Sequence, residues 1–202
     1  MADDKYLALL PRLREGDRQA FTELVSSLHA NMRSIARSML SNGEAEEAVQ
    51  DAWIAVYKNI TKFEGRSSLK TWITRIVINE SRMRLRRHGR EINLDISTEE
   101  QDALTDRFRS NGHWQQAPVA WDFATPDQIL EEQDLRRCME KNLAKMPPQQ
   151  RLVMELRDMQ DLSFEDICNM LDISASNARV LLHRARAQLF TVVEHYQETG
   201  EC

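Results

Sequence analysis

Two sets of side chains in this sequence have the types and spacing to grip nucleic acid. Arg75, Asn79, Arg82 and Arg86 recur at steps of 4, 3 and 4; Ser176, Arg179, His183 and Arg186 recur at steps of 3, 4 and 3, with Arg184 flanking. At 3.6 residues per turn, each set falls on one face of a helix. Guanidinium groups suit phosphate oxygens and guanine edges, and small polar groups permit close approach to the backbone. Phe63 precedes an Arg66-Ser67 loop and Trp72 follows it. Unpaired bases stack on such rings, at about 1–3 kcal/mol per base, although Trp72 reads more readily as core. A third set, Glu46, Glu47, Gln50 and Asp51, makes an acidic helix face. It either docks on a basic protein surface or complements the positive end of its own helix.

Catalytic patterns are not found. His29, His88, His113, His183 and His195 have no ligand spacing, and neither a glycine-rich phosphate loop nor a Gly-x-Ser-x-Gly turn occurs. Cys138, Cys168 and Cys202 lie far apart without a Cys-x-x-Cys pair, which argues against structural zinc and suits a reducing cytoplasm. The expectation is a protein that is not an enzyme and needs no cofactor or metal.

The elements that must position these residues are helical. Residues 17–40 read as one amphipathic helix with Asp17 as N-cap, and Asn42-Gly43 is expected to end it. A second helix runs from about Glu44 to Ile60, with capping-box spacing between Ser41 and Glu44; Val49, Ala52, Trp53, Val56, Tyr57 and Ile60 form its apolar stripe. A third carries Leu69, Trp72, Ile73, Ile76, Val77 and Met83 inward and leads into an arginine-rich stretch. Thr125-Pro126-Asp127-Gln128 starts another helix, and Pro147-Pro148 stops it. Ser163 and Asp166 cap a short helix. A turn at Asp172-Ile173 follows, then a last helix from Ser174 to about Phe190. Short helix, tight turn and longer helix together match helix-turn-helix spacing, with Asp172 where glycine is usual.

The chain has 202 residues, 42% hydrophobic and 29% charged, with a formal net charge of -5. That average conceals segregation. Residues 62–91 hold nine basic and three acidic side chains; residues 93–135 hold ten acidic and two basic. Helical periodicity fails between Glu91 and Thr125, where Trp114 and Trp121 stand isolated, so this acidic stretch reads as a flexible linker. The N-terminus lacks the pattern of a signal peptide, and no apolar run approaches the ~18 residues of a membrane span. The expected fold is all-α: two small helical domains, 1–92 and 127–202, joined by an acidic linker over 93–126, the second domain containing the helix-turn-helix.

Several segments resemble one family in its own order. Glu47-Ala48-Val49-Gln50-Asp51-Ala52-Trp53, Phe63-Glu64-Gly65-Arg66-Ser67, Thr71-Trp72-Ile73 and Arg75-Ile76-Val77-Ile78-Asn79 resemble the second region of extracytoplasmic-function (ECF) sigma factors. Leu162-Ser163-Phe164-Glu165-Asp166-Ile167 and His183-Arg184-Ala185-Arg186 resemble their fourth region. The likeness covers about residues 10–92 and 127–190.

The resemblance implies a promoter-recognition subunit of RNA polymerase. Glu47, Gln50, Asp51 and Trp53 would dock on the core polymerase. Phe63, Arg66 and Ser67 would hold a flipped base of the −10 element, and Arg75, Asn79, Arg82 and Arg86 would contact that strand. Ser176, Arg179, His183, Arg184 and Arg186 would face the −35 element. The implied partners are core RNA polymerase, promoter DNA and an anti-sigma factor, in the cytoplasm and without membrane insertion. Two rivals remain: a sigma-like adaptor that has exchanged DNA for another regulator, and a two-domain helix-turn-helix transcription regulator.

Overall fold

The computed structural model describes residues 6–92 and 126–202, with side chains from residue 133 onward in the second stretch. The expected linker, Trp114, Trp121 and the Thr125 cap lie outside the described residues. Every regular element described is helical: α1 (Leu10–Arg14), α2 (Arg18–Met39), α3 (Asn42–Asn59), α4 (Leu69–Arg87), α5 (Pro126–Lys145), α6 (Pro148–Met154), α7 (Phe164–Leu171) and α8 (Ala175–Thr199).

Local chemistry explains most helix starts. Asp17 caps α2 by accepting from the N–H groups of Gln19 and Ala20, at 2.8 and 3.2 Å. Those backbone hydrogen bonds, then the Arg12 guanidinium, hold its carboxyl below the usual carboxylate range. Ser41 and Glu44 form the capping box of α3, which begins at Asn42. The Ser41 hydroxyl, then Arg90, pulls the Glu44 pKa down. Extended backbone at Leu40 and Ser41 ends α2, and Asn42 and Gly43 open α3 instead; the capping box secures a start two residues earlier than expected. Ser163 caps α7 through the Asp166 N–H at 3.0 Å, and Ser174 caps α8 through the Asn177 N–H at 3.1 Å. Between them Asp172 takes the left-handed conformation, φ 58° and ψ 48°, which Asp tolerates better than most residues.

Internal contacts divide the chain into two compact units. The first comprises residues 1–93 with 155–172. In it α2, α3 and α4 pack pairwise around Leu24, Met32, Ile35, Val49, Val56, Leu69, Ile73 and Ile78, all at most 1% exposed. The second comprises, among the described residues, 126–154 with 173–202. There α8 packs on α5 and α6, burying Cys138, Met146, Leu152, Val153, Ala178, Leu181, Leu182 and Ala185. α8 continues nine residues beyond the expected end at Phe190, closing on Gly200 in the left-handed conformation. Burial of Val193 outweighs the weak helix propensity of Thr191-Val192-Val193.

Candidate nucleic-acid interface

α4 carries the first basic set, and most of its arginines are engaged within the first unit. Arg75 Nη2 donates to the Asn169 carbonyl at 3.1 Å. Arg82 donates to the carbonyls of Met170 and Leu171 at 3.3 and 3.1 Å. These carbonyls end α7, where the helix dipole is negative. Lys70 Nζ donates to the Gln160 carbonyl at 2.8 Å. Burial, then repulsion from Arg86, lowers the Arg82 pKa, and Asp172 opposes both. Asn79 and Arg86 are exposed, and Arg86 lies 3.5 Å from Glu91.

The loop before α4 is anchored from beneath. Arg14 Nη2 donates to the Phe63 carbonyl at 2.7 Å. Phe63 itself is 3% exposed, its ring 5.4 Å from that of Trp72. The Phe63 ring is therefore packed beneath the loop that carries Arg66 and Ser67. The half-buried Trp72 and the exposed Arg66 and Ser67 form its accessible surface. Gly65, at φ 74°, makes the turn, and Arg66 pairs with Glu64.

The acidic face of α3 is also partly used. Arg84 of α4 forms ion pairs with Glu47 and, at 2.8 Å, with Asp51. Burial works against the Arg84 charge, but hydrogen bonds to Asp51 and Glu47 outweigh it and raise its pKa. Trp53 is 8% exposed; its indole N–H donates to His29 Nδ1 at 3.3 Å and its ring meets Phe21 edge-on. Trp53, expected on the docking face, thus lies on the core side of α3. Sequence reasoning did not single out Ile54 and placed Tyr57 on the apolar stripe. Ile54 and Tyr57, 52% and 51% exposed, continue the stripe of Glu47 and Gln50 at steps of 4 and 3. The available signal was an isoleucine on an otherwise polar face.

α8 presents its first turns outward. Ser176 and Arg179 are exposed, Val180 is exposed beside them, and His183 and Arg184 are half-buried. Leu181 and Leu182 are 0% and 1% exposed, which fixes the orientation of this face. Arg186, expected beside Arg179, is only 9% exposed. Its azimuth on the helix is close to that of Arg179, but it lies two turns along, where α8 is packed in its unit.

No group of His, Cys, Asp or Glu among the described residues could hold a metal ion. No described helix is long and apolar enough to cross a membrane.

The two basic helices fall within two known regions. Residues 24–91 match sigma-70 region 2, and residues 136–189 match sigma-70 region 4. The chain is thus a sigma factor of the sigma-70 family, an RNA polymerase specificity component. Full-length relatives narrow this. The chain is 27% identical over 183 residues to the ECF RNA polymerase sigma-E factor of Haemophilus influenzae, covering 90% of this chain and 92% of that one. It is 26% identical over 187 residues to the factor of that name in Escherichia coli, covering 92% and 93%. It belongs to the ECF sigma factors.

Solved structures share the fold. CnrH in complex with the cytosolic domain of CnrY aligns with TM-score 0.55 and 18% identity, over 96% of this chain and 99% of that one. RpoE in complex with the anti-sigma factor NepR from Bartonella quintana aligns with TM-score 0.55 and 22% identity, over 86% and 96%.

Proposed function

We propose that this ECF factor divides promoter recognition between a domain over residues 1–92 and one over 127–202, joined by the acidic 93–126 linker. The first docks on core polymerase through the exposed stripe of α3. Glu47, Gln50 and Asp51 supply its polar contacts, Ile54 and Tyr57 its apolar ones, and Trp53 holds the helix from behind. Arg66 and Ser67 hold a flipped base of the −10 element above buried Phe63. Arg75, Asn79, Arg82 and Arg86 contact the adjoining strand. On α8, Ser176 and Arg179 meet the −35 element, flanked by His183 and Arg184, while Arg186 braces the helix. The protein works in the cytoplasm as a specificity subunit and performs no chemistry of its own.

The observation that carries this reading is the exposure of Ser176 and Arg179 over buried Leu181 and Leu182 on the helix matched to region 4. The first turns of a recognition helix are the part that enters a major groove. Both solved relatives were captured with a partner, CnrY in one case and the anti-sigma factor NepR in the other. This supports an anti-sigma partner for the present chain.

Run-off transcription with purified core polymerase tests the assignment. The wild-type protein should start transcription at a defined promoter. Gln50→Lys and Ile54→Asp should weaken core association while leaving the fold intact. Arg179→Ala should lose selectivity at the −35 element with core association unchanged. Undiminished core binding in both α3 variants would refute the docking face, and full activity with unchanged selectivity in Arg179→Ala would refute the −35 assignment.

A further inference from the structure

Cys138 and Cys202 are 64 residues apart in sequence, yet their Cα atoms lie 5.4 Å apart and their sulfurs are joined. That separation is typical of natural disulfides. Cys138 sits on the buried side of α5 at 3% exposure. Cys202 is exposed, just past the Gly200 turn that closes α8, where the Gly200 N–H donates to the Tyr196 carbonyl at 2.8 Å. Asn142 stands over the junction. Its Nδ2 donates to the Cys138 carbonyl at 2.9 Å and lies 3.6 and 3.7 Å from the two sulfurs. Cys168 is free. The bridge therefore selects two of three cysteines and fastens the distal end of α8 to the middle of α5.

We propose that Cys138 and Cys202 are a reversible thiol–disulfide pair, a redox modification site that controls how firmly the C-terminal half of α8 is held to α5. The exposed sulfur gives a small disulfide or thiol access, and the buried one resolves the exchange. Oxidation by glutathione disulfide proceeds in two displacements. The Cys202 thiolate attacks one glutathione sulfur, forming a mixed disulfide and expelling a glutathione thiolate. The Cys138 thiolate then attacks Cys202 Sγ and expels the second. Two cysteine thiols lose two electrons and two protons, and one glutathione disulfide becomes two glutathione thiols. Reduction is the reverse.

The bridge adjoins a cavity of about 560 Å³ lined by Asn142 and Lys145 of α5, by Met146 just beyond it, and by Arg184, Gln188 and Val192 of α8. Oxidation ties the end of α8 covalently to α5, and reduction leaves the distal part of α8 to its noncovalent contacts. Val193 is its buried side chain beyond Ala187, so this is the part of the helix most responsive to losing a tether.

The test equilibrates the full chain in glutathione buffers of stepped redox ratio, then applies acid quench, alkylation and peptide mass spectrometry. Cys138 and Cys202 should lose alkylation together and yield one cross-linked peptide pair. Cys168 should remain alkylated, and excess reduced glutathione should reverse the change. Hydrogen exchange over residues 190–199 should be several-fold slower in the oxidised protein. Cys202→Ser, an exposed substitution that spares the core, should exchange like the reduced form at every ratio. Independent alkylation of the two cysteines at all ratios would overturn the proposal. So would a bridge that survives the most reducing buffer, or one that forms with no change in α8 exchange.

Discussion

The two basic helices meet the same requirement in opposite ways. On α4 the arginines are numerous, and the fold employs most of them: Arg84 binds Glu47 and Asp51, and Arg75 and Arg82 cap the carbonyl end of α7. On α8 the basic residues are fewer, and the fold turns Ser176 and Arg179 outward over Leu181 and Leu182. Charge count and charge availability are thus different quantities. A guanidinium whose donors already meet carbonyls must exchange those bonds for DNA, and it gains only the difference.

The sharpest test of this contrast sets a buried residue of α8 against an exposed one. Leu182→Ala should destabilise the protein by about 2–5 kcal/mol, as expected for a fully buried leucine. Arg179→Ala should stay within about 0.5 kcal/mol of wild type. Urea titration of both variants measures this, and similar losses in the two would erase the distinction between core and reading face.

Next in size is the effect on DNA. If Arg179 reads a guanine, Arg179→Ala should forfeit about 1–3 kcal/mol of discrimination at one base pair of the −35 element. Competition among single-base promoter variants, using holoenzyme, provides the readout. A uniform loss across all variants would make Arg179 a phosphate contact instead.

A smaller effect concerns the arginine that α4 gives to the fold. A double-mutant cycle of Arg84→Ala with Asp51→Ala should return a coupling of about 0.2–1 kcal/mol, since Asp51 is nearly half exposed. Zero coupling would mean that Arg84 is as available as Arg86, and the contrast between α4 and α8 would narrow.

The smallest effects belong to the caps of α2 and α3, the helices behind α4. The carboxyls of Asp17 and Glu44 have native pKa values below their ordinary 3.8 and 4.5. Their contribution is therefore complete above those ordinary values and is lost as pH falls through the native ones. The urea midpoint of Asp17→Asn should lie below wild type at pH 7, and the gap should narrow as pH falls below 3.8. A gap that persists at low pH would show that the Asp17 carboxylate charge is not its source.

The sequence by itself determined what depends on neighbours along the chain. Asp17, Ser41 with Glu44, and Ser163 start helices because each satisfies N–H groups within three residues of itself. The steps of 3 and 4 through Leu181, Leu182 and Ala185 dictate which side of α8 turns inward, and hence that Arg179 turns out. Family motifs were legible for the same reason, being short runs of contiguous residues. Tertiary structure decided whatever depended on a distant partner. Phe63 and Arg186 read as surface residues until other parts of the fold covered them. Arg84 reads as one more basic residue until α3 brings Glu47 and Asp51 to it from 37 and 33 positions away. α8 passes Phe190 because Val193 finds a buried place, a gain that helix propensity does not contain. Cys138 and Cys202 meet across 64 residues only because α5 and α8 pack together, and spacing along a chain carries no information about which helices will do so.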